Sequence, residues 1–173
     1  MAILDILHYP NPVLAEKSRP VECFDAALCG LAEDMAETMY DAPGVGLAAP
    51  QVGVLTRLIV IDCSGKEEPP DLIVAANPEI IAKEGSCLEE EGCLSVPGYY
   101  ARVARSTQVT LRYQSLDGQV QELNADGLLA VAIQHEIDHL NGVLFVDRLS
   151  SLKRSMFRKK YQKMQQQKEL ETE

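Results

Sequence analysis

Between Phe24 and Tyr40 apolar residues recur at three- and four-residue spacing, so that Leu28, Leu31, Met35 and Met39 share one side of a helix. Asp25 stands where an N-cap belongs, and Pro43-Gly44 stops the pattern. The stretch Gly44-Val-Gly-Leu-Ala-Ala-Pro-Gln51 is too small in its side chains and too interrupted for a helix, and reads as a loop. Arg57 to Asp62 is a β-branched run that predicts a strand. A charged loop, Lys66 to Asp71, precedes two further predicted strands, Leu72–Ala76 and Ile80–Glu84. Val109–Gln114 and Val120–Leu123 alternate with period two around Asp117-Gly118, the signature of a tight hairpin. Asp126 then caps a helix over Gly127–Leu140, which Gly142 terminates. A short strand near Val143–Val146 and a helix from Leu149 to Gln167 complete the pattern. Helix, many strands, helix, helix is the order of an α+β protein rather than of alternating β-α units.

At 173 residues the chain suits one domain. The expected division is a catalytic part over 1–150 and a C-terminal basic helix or tail of the same domain over 151–173. Asp5, Pro10 and Pro12 break up the opening residues, which do not read as a secretory signal. No stretch approaches the ~20 apolar residues of a membrane span. Five cysteines without paired spacing do not suggest a disulfide framework. A cytoplasmic protein is expected, with no membrane and no DNA partner. The net charge of −10 is unevenly spread. From Ser151 onward seven Lys/Arg face three Glu, a net +4, which leaves −14 on the first 150 residues. A basic tail on an acidic body fits either a polyanionic partner or a solvated helix face.

Two of the three histidines lie in His135-Glu-Ile-Asp-His139. Four residues apart on a helix, both imidazoles reach one metal ion, while Glu136 is placed to take a proton from metal-bound water. Leu128, Val131 and Ala132 precede His135 by seven, four and three residues and extend that face as an apolar wall. A third ligand is hard to find downstream, where no histidine follows and the glutamates lie at the end of the tail. Upstream, Cys93 in Glu91-Gly-Cys-Leu-Ser95 would complete a Cys-His-His site, with Cys87 as a rival. One thiolate and two imidazoles suit Zn, Fe(II), Co or Ni without choosing among them.

Gly44–Gln51, Glu91–Ser95 and Gln134-His-Glu-Ile-Asp-His139, taken together and in this order, resemble the three signature motifs of the peptide deformylases. The opening Ile6-Leu-His-Tyr-Pro-Asn-Pro12 and the chain length extend the resemblance over nearly the whole sequence. It implies antiparallel sheets packed around a central helix that carries the His-Glu-x-x-His pattern, with a C-terminal helix. It also implies removal of the N-formyl group from the initiator methionine of nascent polypeptides, with release of formate. Cys93, His135 and His139 would bind one divalent ion, Fe(II) in cells, with Zn, Ni or Co in some preparations. Glu136 would be the general base and acid. The Gln51 amide and the Leu94 N–H would donate to the oxyanion. Val45, Gly46, Leu128, Val131 and Ala132 would line the place of the methionine and its backbone. Some members dock a C-terminal helix on ribosomal RNA near the exit tunnel, and Arg154, Arg158 and Lys159 fall at helical spacing for such contacts. After Pro97 this chain has Gly98-Tyr99-Tyr100 where an arginine often follows in the family.

Two rival readings predict different sites. A protease or deacylase of another amide leaves Cys93 and Gln51 without a reason for their positions. A ribosome-binding factor with a structural metal requires a fourth protein ligand.

Overall fold

The computed structural model describes residues 2–171, so the last two residues of the expected tail lie outside it. Strands β1 (Gly46–Ala48), β2 (Leu58–Ile61) and β3 (Ile73–Glu84) come first, followed by β4 (Cys87–Cys93), β5 (Val96–Arg105), β6 (Gln108–Gln114) and β7 (Val120–Asp126). Helices α1 (Ala26–Asp41), α2 (Gly127–Leu140) and α3 (Ser151–Glu171) flank them. All strand pairing is antiparallel. Five strands form one sheet in the order β1-β2-β3-β6-β7, and β4 with β5 forms a second sheet. This is the expected α+β architecture.

The large sheet is covered on both faces, and β2 shows why. Its unbroken apolar run Leu58-Ile-Val-Ile61 is wholly buried, because alternate residues serve different cores. Ile59 and Ile61 pack with Ala130, Ile133 and Leu140 of α2. Leu58 and Val60 pack with Leu28, Met35 and Met39 of α1. Burying each such side chain contributes about 1.5–3 kcal/mol. Asp25 caps α1 as expected, its side chain accepting from the Leu28 N–H at 3.0 Å. A third core joins β5 to the 3-10 turn Phe145–Arg148 and to α3, through Val96, Val103, Phe145, Phe157 and Tyr161.

Several expectations need correction. Leu72–Ala76 and Ile80–Glu84 are one strand, β3, irregular in register between Ala76 and Glu79 where Asn77 takes φ 49°. Asn77 bonds Val21 through both ends of its amide, which holds that kink. The Val143–Val146 strand is absent. Phe145 and Val146 turn into the third core from a 3-10 turn instead. The Gly-rich loop contains β1 and a 3-10 turn, Ala49–Val52. Helices α1 and α3 begin two residues later than expected, and α3 runs on to Glu171. Helix α2 has the expected bounds, yet Asp126 makes no capping hydrogen bond with its side chain. The β4–β5 hairpin has no counterpart in the sequence pattern.

Gly142 ends α2 at φ 75°, and a Cβ there would lie 2.5 Å from the Ala15 carbonyl oxygen. Gly142→Ala therefore combines left-handed strain with a backbone clash, at a cost of about 1–3 kcal/mol. Urea unfolding should show a lower midpoint with an unchanged slope. An unchanged midpoint would contradict this packing.

Candidate active site

The site forms where α2 meets the tight turn between β4 and β5. One helical turn separates His135 from His139, and their Nε2 atoms approach to 3.2 Å. Cys93, at the end of β4, places Sγ 3.3 Å from His139 Nε2. Donor atoms of the three residues all lie within 4.8 Å of one another. Gly92 leaves room for the Tyr100 ring, since a Cβ at that position would sit 2.5 Å from it. A four-coordinate ion with ordinary Zn–N and Zn–S bonds separates its donors by about 3.3–3.6 Å. The 3.2 and 3.3 Å contacts are close to that spacing, and the donor set suits one divalent ion. Cys87 is not part of this cluster; it is half-buried and lines the cleft.

The protonation preferences describe the same gap. Two imidazoles in this contact cannot both be charged. Burial pulls His135 down, but Glu136, Cys93 and Glu91 together hold it well above the usual histidine range. Burial and the neighbouring His135 and Arg105 charges push His139 well below that range.

Glu136 is 4% exposed, and its Oε1 has no hydrogen-bond partner among the described residues. Burial raises its carboxyl to about 7, against the opposing pull of His135. Its other oxygen occupies the space of an absent side chain: a Cβ on Gly46 would lie 2.5 Å from Oε2. The glycine is required there for contact, at a position whose φ is unexceptional.

Gln51 is 1% exposed and fixed at both ends. Its Oε1 accepts from the Ala48 N–H at 3.0 Å, while Nε2 donates to Ser95 Oγ at 3.0 Å and lies 3.6 Å from Cys93 Sγ. The opening segment binds both site-forming turns together. The Leu7 N–H donates to the Gln51 carbonyl at 2.7 Å, and the Tyr9 N–H to the Ser95 carbonyl at 2.8 Å. Leu94 lies beside Ser95 in the β4–β5 turn, its side chain against Gly44.

Behind His135 lies a group that sequence reasoning missed. Glu91 Oε1 meets His135 Nδ1 at 3.0 Å. Arg105 grips both oxygens of Glu91, at 2.8 and 2.9 Å, and reaches Asp138 Oδ2 at 2.7 Å. Burial would raise the Glu91 carboxyl, but bonding to Arg105 and His135 lowers it, so it is ionised at neutral pH. Such a carboxylate fixes the ring and leaves Nε2 facing the other donors.

A cleft of about 840 Å³ opens over Glu136 and the metal-fitting cluster. Val131 and Ala132 form its buried wall, while Val45 and Leu128, 44% and 57% exposed, stand at its mouth. Leu128 therefore rims the cleft rather than extending the buried wall. Edge strand β1 and strand β4, each paired on one side only, flank the opening.

An α+β protein with a thiol-imidazole cluster and a desolvated carboxyl group at the floor of an open cleft has the outline of a hydrolase. The family model for polypeptide deformylase matches residues 3–155. A peptide deformylase of Syntrophobacter fumaroxidans is 53% identical over 163 residues, covering 94% of this chain and 96% of its own. Peptide deformylase 2 of Xanthomonas axonopodis pv. citri is 55% identical, with 94% and 96% covered. The crystal structure of the Legionella pneumophila peptide deformylase is 50% identical and superposes with a TM-score of 0.89, covering 96% of this chain and 98% of that one. An Ehrlichia chaffeensis peptide deformylase in complex with actinonin is 37% identical with a TM-score of 0.87, covering 95% and 98%. The chain belongs to the polypeptide deformylase family.

Gly46→Ala should force Glu136 or β1 aside while leaving the three donors in place. Hydrolysis is expected to fall at least tenfold, since a misplacement of about an ångström can cost as much as 10²-fold. A fully active Gly46→Ala enzyme would contradict the contact.

Proposed function

We propose that the chain is a metal-dependent hydrolase that removes the N-formyl group from the starting methionine of nascent polypeptides, releasing formate. The observation that carries this reading is the orphaned, desolvated Glu136 carboxylate beside a Cys-His-His donor set, in a chain of the deformylase family. Cys93, His135 and His139 hold one divalent ion. Fe(II) is the expected ion in cells, and Zn, Ni or Co have the same donor preferences. When bound, the ion supplies a water acidic enough, with a pKa near 7, to serve as nucleophile at neutral pH.

The remaining chemistry belongs to side chains and backbone. The substrate backbone lies extended between the free edges of β1 and β4, with Gly46 and Gly92 leaving room for it. Methionine enters between Val45, Leu128, Val131 and Ala132. Glu136 takes the proton of the attacking water and returns it to the departing amine, so that water and formamide become formate and a free N-terminus. As carbonyl becomes oxyanion, Gln51 Nε2 and the Leu94 N–H donate to it. Gln51 can do so because Ala48 fixes its amide orientation. A closed structural site is disfavoured, because only three donors converge among the described residues.

We read residues 1–150 as the catalytic part and 151–173 as a C-terminal basic helix or tail of the same domain, in a cytoplasmic protein. That helix is anchored by Phe157 and Tyr161, so its outer face alone is available to a partner. Arg158 and Lys159 are exposed there, as are Lys153 and Lys163. Arg154 is half-buried, with its Nε enclosed and its Nη2 near Ser151 Oγ at 3.4 Å. Lys160 lies over the Tyr99 ring at 5.7 Å. The exposed set is the proposed contact for ribosomal RNA phosphates.

Protein loaded anaerobically with Fe(II) should release formate from formyl-Met-Ala-Ser and no acetate from acetyl-Met-Ala-Ser. Equal hydrolysis of both would favour a general deacylase. Ala132→Leu should raise KM for the formyl peptide several-fold at constant metal content, and unchanged kinetics would remove the pocket assignment. Arg158→Glu with Lys159→Glu should weaken ribosome binding and flatten its salt dependence without altering peptide hydrolysis. Undiminished binding would sink the contact.

A further inference from the structure

The 3-10 turn Phe145–Arg148 reaches His135 by two routes. At its start the Phe145 ring stacks on the His135 ring, with centroids 6.1 Å apart and planes inclined by 27°. At its end Arg148 grips Asp138 with two prongs, Nε to Oδ2 at 2.5 Å and Nη2 to Oδ1 at 2.7 Å. Asp138 Oδ2 also accepts from Arg105, Arg105 holds Glu91, and Glu91 holds His135 Nδ1. A chain of alternating charge thus runs from the protein surface to the back of an imidazole. Arg148 is its outermost member, with a side chain 46% exposed.

Counting charges shows what Arg148 does. Two buried carboxylates, Asp138 and Glu91, require two cations, and the buried Arg105 is one. Asp138 is buried, and without Arg148 its carboxylate would keep one Arg105 nitrogen as partner and would compete with Glu91 for that guanidinium. A buried carboxylate left short of a partner is costly, and the nearest relief is a shift of Arg105 away from Glu91. We propose that Arg148 is a positioning residue for the metal site: by satisfying Asp138 it keeps Arg105 on Glu91, and so fixes the His135 ring that faces the ion. The inference rests on the metal reading above. A planar two-pronged donor is needed, which a lysine ammonium does not reproduce.

The test is Co(II) affinity of the full chain by chelator competition, with the Co(II) absorption spectrum recorded alongside. Arg148→Met, which keeps the aliphatic stem, should bind Co(II) roughly tenfold more weakly and shift the spectrum, as loss of a group behind a ligand typically does. Arg148→Lys should fall between that variant and the parent. In a Glu91→Gln background the Arg148→Met change should add little, because the link to His135 is already cut. Parent-like affinity and spectrum in folded Arg148→Met would overturn the proposal. So would equal losses in both backgrounds, which would make Arg148 a residue of the fold alone. If Arg148→Met does not fold, Arg148→Lys decides: weakened affinity supports the two-pronged role and parent-like affinity refutes it. A parent that binds no Co(II) would overturn the metal reading and this inference together.

Discussion

The buried guanidinium of Arg105 joins the β4–β5 hairpin to helix α2. The β4–β5 hairpin pairs with no strand of the five-stranded sheet among the described residues, yet the site needs a thiol from the hairpin and two imidazoles from α2. Arg105 is the last residue of β5, and it binds Glu91 on β4 and Asp138 on α2. Its desolvation is expensive, so the cluster adds little net stability over a well-packed apolar core. Breaking it would nevertheless cost about 3–5 kcal/mol, because unpaired charges would stay buried. The cluster's contribution is register. It sets hairpin against helix at the one offset that brings Cys93 to His139.

Other parts of the fold reinforce that offset by cheaper means. The opening segment hydrogen-bonds the Gln51 and Ser95 carbonyls, tying the two site-forming turns to one extended strip of backbone. Tyr9 in that strip packs edge-on against Phe157 and Tyr161, so α3 closes the assembly from outside. The same rigidity serves the chemistry proposed for the site. A carboxylate intended as a proton carrier gains from being held near the water it must deprotonate and away from solvent that would stabilise its charge. Gly46 supplies the close approach and burial supplies the shift. Gln51 shows the complementary design, since both of its amide ends are engaged.

The parts legible in the sequence are those where chemistry and periodicity coincide. His135, Glu136 and His139 announce themselves by helical spacing, and Asp117-Gly118 fixes the β6–β7 hairpin. The β4–β5 hairpin stayed hidden because β4 reads Cys-Leu-Glu-Glu-Glu-Gly-Cys, with no apolar alternation. Its inward residue at Glu91 faces a guanidinium rather than a core. The cluster behind His135 is illegible for a related reason. Glu91 and His135 are 44 residues apart, and Arg105 and Asp138 33 apart, so their pairing leaves no local trace. Val143–Val146 has strand composition, but its apolar residues are spent on a turn that packs inward.

In the proposed function, metal holding and proton transfer reside in different side chains of one site. The most direct test measures metal content and formate release side by side for the parent and Glu136→Gln, both prepared anaerobically. One ion per chain is expected in both proteins, with hydrolysis reduced about 10²–10⁴-fold in the variant, the usual worth of a general acid-base group. Parent-like hydrolysis by the variant, or loss of its metal, would contradict the separation of roles.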